Sequence, residues 1–214
     1  MRLSILAALL AAAACTNASA AEPRLVPAPR QDVAPSGGLQ TAVLAGGCFW
    51  GVEAVFEHVK GVRSVVSGYA GGSAADANYR AVSAGRTDHA EVVKIVFDPR
   101  AVSYGTLLRL FFSVAHDPTQ LDRQGPDVGQ SYRSAIFPQD REQRAVAAAY
   151  IVQLRQSGVF RRPIVTRIES GPFHLAERSH QDFMRKNPLH PYILAHDAPK
   201  LRALKRAAPS LYRS

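Results

Sequence analysis

Cys48 stands in "GGCFWGVEAVFEHV", between two glycines and two large aromatics, one of them Trp50, the only tryptophan of the chain. The spacing turns helical from Cys48 onward, which places the thiol on a first helical turn. There it meets unpaired backbone N–H groups and the positive end of the helix dipole. Both favour the thiolate and predict a lowered pKa, and the thiolate is the nucleophilic form. Gly46 and Gly47 permit a sharp turn and the close approach of a ligand. Phe49 and Trp50 add flat apolar surface beside the sulfur, suited to a small apolar group such as a methyl. The alternative is a cysteine and two aromatics packed into a core. Aromatics at a turn often reach the surface, so the nucleophile reading leads.

Cysteine usage sharpens the question. The chain has two, Cys15 and Cys48. "MRLSILAALLAAAACTNASA" has a positive start at Arg2, an apolar run, and Ala18-Ser19-Ala20 as a small-residue cleavage signal. It is too short for a membrane span, which needs about 20 apolar residues. Residues 1–20 therefore read as a signal peptide, and a periplasmic or secreted location is expected. Lipid attachment at Cys15 is the rival, and only then would the chain meet a membrane. Either way Cys48 is left without an intramolecular partner. In an oxidising compartment a lone thiol is either inert and buried or kept for chemistry. Residues 21–38 form a Pro-rich linker, expected to be semi-extended and poorly ordered, and residues 39–214 make one catalytic domain. The chain carries a formal charge of +9. The positive residues are scattered and no nucleic-acid motif accompanies them, so nucleic acid is not an expected partner.

The elements around Cys48 follow from periodicity. "TAVLAG" (residues 41–46) suits a buried strand. Val52, Val55, Phe56 and Val59 then make one helical face, with Gly61 as a natural stop. "VRSVVSGY" and "HAEVVKIVFDP" read as strands. The second has apolar residues on both faces, Glu91 sharing one with Val93, Ile95 and Phe97, and is expected inside the sheet. "SYGTLLRLFFSVA" is a helix with Leu107, Leu108, Phe111 and Ala115 inward. "HDPTQLDRQGPDVGQSYRS" is a long polar connection of the kind that is functional or disordered. "SAIF" is a short strand, Asp140 to Ser157 a helix stopped at Gly158, "PIVTRIE" a strand, and "AERSHQDFMRKN" a short helix. Interleaved strands and helices define an α/β or α+β class in one domain.

"GGCFWGVE" resembles the signature of the A-type peptide-methionine sulfoxide reductases, which act on the S epimer. "GYAGG", "NYRAV", "HAEVVKIVFDP", "HDPT", "RQGPDVG", "YRS" and "HQDF" follow in that family's order, from about Thr41 to the C-terminus. The resemblance implies an α+β sandwich with a ferredoxin-like core: a mixed sheet, surrounding helices and long active-site loops. It implies that Cys48 attacks the sulfoxide sulfur while Glu91 protonates the oxygen. Glu91 needs a raised pKa for this, and burial among Val93, Ile95 and Phe97 would supply it; pairing with Arg86 would do the opposite. Tyr79 and Tyr132 match positions whose hydroxyls bond the sulfoxide oxygen, and Asp127 an aspartate beside them. Phe49 and Trp50 match the wall that holds the substrate methyl, and His180 a supporting histidine.

Several positions depart from the family pattern: Asp88 before His89, Asp122 in the loop, Gln130-Ser131 before Tyr132, and Ser179 before His180. The largest departure is at the end, where "HPYILAHDAPKLRALKRAAPSLYRS" lacks the resolving cysteine that many members carry. After attack Cys48 becomes a sulfenic acid, and its reduction falls to an external dithiol or a thioredoxin-like partner. The expected partners are thus oxidised proteins carrying methionine sulfoxide and a thiol reductant, with no prosthetic cofactor or metal and a monomeric enzyme. The competing readings are a cysteine hydrolase with His180 or His89 as base, a metal enzyme using His89 and Glu91, and a non-enzymatic binding module with an inert thiol.

Overall fold

The computed structural model describes residues 25–35 and 37–214. The expected signal peptide, its cleavage site and Cys15 lie outside the described residues. Six strands form one mixed sheet and two more a small hairpin. In chain order they are β1 (Gln40–Gly46), β2 (Val62–Ala70), β3 (Ala90–Phe97), β4 (Arg123–Gln124), β5 (Asp127–Val128), β6 (Ser134–Phe137), β7 (Arg167–Ile168) and β8 (Phe173–Leu175). The helices are α1 (Phe49–Glu57), α2 (Tyr79–Ser83), α3 (Tyr104–Leu110), α4 (Arg141–Ser157), α5 (Phe183–Lys186) and α6 (Ala198–Ala207).

The large sheet runs β7-β6-β1-β3-β2-β8. All neighbours are antiparallel except β6 and β7. Its four central strands, with α1 between β1 and β2 and with α3 between β3 and β6, follow the split β-α-β order of ferredoxin-like sheets. β3 is interior, as its two apolar faces require. One face carries Val93, Ile95 and Phe97 into the main core with Leu44, Val55 and Phe56. The other carries Val92 into a smaller cluster with Val43, Ala45 and Phe137.

Local chemistry sets several boundaries. Asp140 caps α4 by accepting the Gln143 N–H at 2.7 Å, and Gly158 ends it in the left-handed conformation at φ 65°. Ser103 caps α3 through the Thr106 N–H at 3.1 Å. That helix gives way after Leu110 to a π turn over Phe111–Ala115, which buries both phenylalanines. Three expectations are corrected. α1 ends at Glu57, before Gly61, because Gly61 (φ 90°) serves the turn into β2. "PIVTRIE" supplies only the two paired residues of β7, and "AERSHQDFMRKN" only the four-residue α5 within a run of turns.

The linker differs most. Residues 25–33 are packed, with Val26 and Val33 buried in the main core. Tyr150 donates to the Pro27 carbonyl at 2.6 Å, Arg109 to the Val26 carbonyl at 2.7 Å, and Asp32 accepts the Gly105 N–H at 2.7 Å at the start of α3. Proline spacing alone gives no sign of the two valines that find a core. No helix among the described residues is long and apolar enough to cross a membrane.

Candidate active site

Cys48 is the N-cap of α1, reached from β1 through Gly47 at φ 86°. A side chain at position 47 would overlap Gln124, whose amide brackets Asp117: Oε1 accepts the Asp117 N–H and Nε2 donates to its carbonyl. Glycine here lets the long loop 116–133 lie directly on the turn that carries the thiol.

The first N–H groups of α1 have no helical acceptor. The Phe49 N–H donates to Glu91 Oε2 at 3.0 Å, and the Trp50 N–H points at the Cys48 sulfur. Glu91 reaches the helix from β3, on the face predicted for it. Burial pushes its carboxyl up to about 8, against the pull of the Phe49 N–H, with Asp127 and Asp197 pushing in the same direction. Among the described residues its hydrogen bond is to the Phe49 backbone, and no ion pair with Arg86 is made. Asp88 is exposed and is not among the groups that shift it.

The thiol itself corrects a sequence expectation. Burial raises the Cys48 pKa well above its ordinary value, helped by the negative charges of Glu91 and Asp197. The Trp50 N–H and Lys200 pull it down by less. Desolvation outweighs the helix terminus here because Cys48 is only 8 % exposed. Burial thus favours the neutral thiol over the thiolate in the free enzyme.

Cys48, Phe49, Trp50, Tyr79, Glu91, Asp127, Tyr132, His190 and Tyr192 line one cleft of about 250 Å³. All seven predicted site residues meet there. Trp50 stacks on Phe183 at 3.7 Å between ring centres, and its indole N–H donates to His180 Nδ1 at 3.2 Å. Tyr79 opens α2, held by a 2.8 Å bond from its backbone N–H to Glu177 Oε1. The other Glu177 oxygen accepts the Tyr69 hydroxyl at 2.8 Å. Tyr132 ends a short 3₁₀ turn, anchored by the neighbouring Arg133, which pairs with Glu169 at 2.7 Å. Burial foremost, and then Glu91, hold the Tyr79 and Tyr132 hydroxyls above their ordinary pKa, so both remain donors.

Sequence reasoning missed Tyr192, whose hydroxyl donates to Asp127 Oδ2, and His190 beside it. No local pattern marks them; they come from the C-terminal segment, Tyr192 lying 65 residues beyond Asp127. Asp122, a departure from the family pattern, pairs with Arg167 at 3.0 Å away from the cleft. Neither histidine named for the hydrolase reading is poised as its base: His180 Nδ1 accepts from Trp50, and both ring nitrogens of His89 are taken up by Gly72 and Ser73. Among the described residues no group of three or more His, Cys, Asp or Glu gathers to hold a metal.

The sheet gathers a thiol, a buried carboxyl and tyrosine hydroxyls around one small cleft, the groups a thiol-dependent enzyme would use. Residues 40–210 match the family model described as peptide methionine sulfoxide reductase. The chain is 53 % identical over 188 residues to peptide methionine sulfoxide reductase MsrA 2 of Synechocystis sp., covering 86 % of this chain and 88 % of the relative. It is 54 % identical over 176 residues to MsrA 2 of Mesorhizobium japonicum, covering 82 % and 90 %. Among solved structures it resembles methionine sulfoxide reductase A of Corynebacterium diphtheriae, with a TM-score of 0.59 at 35 % identity over 72 % of this chain and 78 % of that one. Reduced Mxr1 of Saccharomyces cerevisiae gives 0.63 at 29 %, over 75 % and 92 %. The chain belongs to the peptide methionine sulfoxide reductase family, in its A-type branch, and is an enzyme of that kind.

Proposed function

We propose that this enzyme reduces the S epimer of methionine sulfoxide, in proteins and as the free amino acid, with Cys48 as nucleophile and Glu91 as general acid. The observation that carries the reading is the shared cleft: a thiol at its base, a carboxyl held protonated up to about pH 8, and tyrosine hydroxyls on its wall.

The substrate methyl lies against Phe49 and Trp50, and the sulfoxide oxygen accepts hydrogen bonds from Tyr79 and Tyr132. As Cys48 Sγ bonds to the sulfoxide sulfur, Glu91 gives its proton to the oxygen, which makes that oxygen a better leaving group. The thiol proton replaces the one Glu91 has lost. The S–O bond then breaks and the hydroxyl passes to Cys48 Sγ as a sulfenic acid, while the transient Sγ–S bond breaks with its electron pair returning to methionine, which leaves as the thioether. Asp127, tied to Tyr192, keeps the loop wall in register. A first external thiol then displaces water from the sulfenic acid to form a mixed disulfide, and a second restores Cys48 with release of a disulfide. The reductant is a small dithiol or a thioredoxin-like protein. Cys48 is free, and no other cysteine lies among the described residues to resolve it internally. The enzyme acts as a monomer, with no prosthetic group, in the periplasm or outside the cell, tethered only if Cys15 carries lipid.

Separated S and R epimers of methionine sulfoxide, given to the enzyme with dithiothreitol, test this reading. Turnover of S alone, with one sulfenic acid trapped at Cys48 by dimedone, is the expected result. Turnover of R, or a purely intramolecular disulfide as the oxidised product, would overturn it.

A further inference from the structure

The C-terminal segment places a buried ion pair behind the nucleophile. Asp197, just before α6, is 1 % exposed, and its Oδ1 meets Lys200 Nζ at 3.1 Å. Its Oδ2 is buried with no hydrogen-bond partner. The pair lies on the first turn of α1, against Gly51, three residues on from Cys48. A Cβ at Gly51 would overlap Asp197 Oδ1 and come within 2.9 Å of Lys200 Nζ. Burial disfavours the charged form of this carboxyl, and Lys200 is its chief compensation.

Other charged and titratable groups surround the sulfur and the ion pair. Glu91 comes from β3 and Asp127 from β5, with Tyr79, Tyr132, Tyr192 and His190 on the cleft wall. His196 acts on Asp197, and Lys200 on His116, so both histidines bear on the ion pair. Lys200 is the only cation among the principal influences on Cys48.

We propose that the Asp197–Lys200 pair is a positioning device for the charge of Cys48. Asp197 adds to the burial that disfavours the resting thiolate, and Lys200 supports the negative charge that gathers on the sulfur as it attacks. The sulfur is therefore poised from both sides: Glu91 in the cleft, the ion pair from behind the helix. The inference rests on Cys48 as the nucleophile and assigns no contact with substrate to either residue.

Alkylation of Cys48 by iodoacetamide in the full chain, followed across pH by peptide mass spectrometry, reads the sulfur without needing sulfoxide turnover. Asp197→Asn is expected to move the midpoint down by about one pH unit, and Lys200→Met to move it up by a similar amount. Lys200→Arg, which keeps the charge, should return it to near the wild-type value. The proposal is overturned if Asp197→Asn and Lys200→Met both titrate with wild type, or if Lys200→Arg is displaced as far as Lys200→Met. Should Asp197→Asn not fold, the two lysine variants decide alone. A Cys48 that never alkylates would instead sink its role as nucleophile, which separates the two failures.

Discussion

Unusual carboxyls flank helix α1: Glu91 reaches its start from β3, and Glu53 and Glu57 are its own. At the N-terminal end Glu91 is pushed up to about 8 by burial. Toward the other end Glu53 is pushed up to about 8, and Glu57 to about 7, again chiefly by burial. The two environments look alike by ionisation alone. They differ in what the carboxyls face. Glu91 opens into a cleft beside a thiol, whereas Glu53 accepts the Asp182 N–H at 3.0 Å and ties α1 to the turn before α5. A shifted carboxyl therefore becomes a candidate acid only where a reacting atom can reach it. Buried and spent on backbone, the same shift is a structural tie.

That contrast can be broken or sharpened by experiment. The largest effect is expected from Cys48→Ser, which should reduce sulfoxide turnover to the detection limit while leaving the fold intact by circular dichroism. Glu91→Gln comes next, lowering kcat by about 10²- to 10³-fold in steady-state assays. The same variant should lose the alkaline limb of the rate profile. Glu91 must be protonated to act, so wild-type kcat/KM should fall as pH rises through about 8. Trp50→Ala should raise KM by roughly tenfold, with a smaller change in kcat, because it removes one wall of the cleft. Glu53→Gln should leave activity within about twofold and change stability instead. Glu53 titrates near 8 in the fold against 4.5 ordinarily. The native state thus keeps a proton the unfolded chain gives up, and stability falls as pH rises between those values. Denaturant unfolding at pH 6 and pH 9 should show a smaller loss in the variant. An activity collapse in Glu53→Gln, or a silent Glu91→Gln, would erase the distinction between the two ends.

The strand–turn–helix at Cys48 was readable because its cues are local: an apolar run, two glycines, then helical spacing. Asp140 and Gly158 bounded α4 for the same reason. The interior place of β3 followed from its two apolar faces, and with it the burial of Glu91. The state of the thiol was not readable in this way. A helix terminus is visible in sequence, but the desolvation that outweighs it depends on loop 116–133 and on α6 closing over the site. Tyr192, Asp197 and Lys200 escaped notice because Pro191 and Pro199 interrupt any pattern there, and their partners lie in distant parts of the chain. The edge strands β7 and β8, two and three residues long, are set by pairing with β6 and β2 more than by their own composition.

Residues 25–33 have a practical bearing on how this enzyme is handled. Trimming the chain to the matched region from residue 40 would strip Val26 and Val33 from the interior and remove Asp32 from the start of α3. Someone immobilising the enzyme on a surface would do better to keep everything from Leu25 and attach upstream of it. The attachment would then end on the side of α3 and α4, while Cys48 opens into a cleft that neither helix lines.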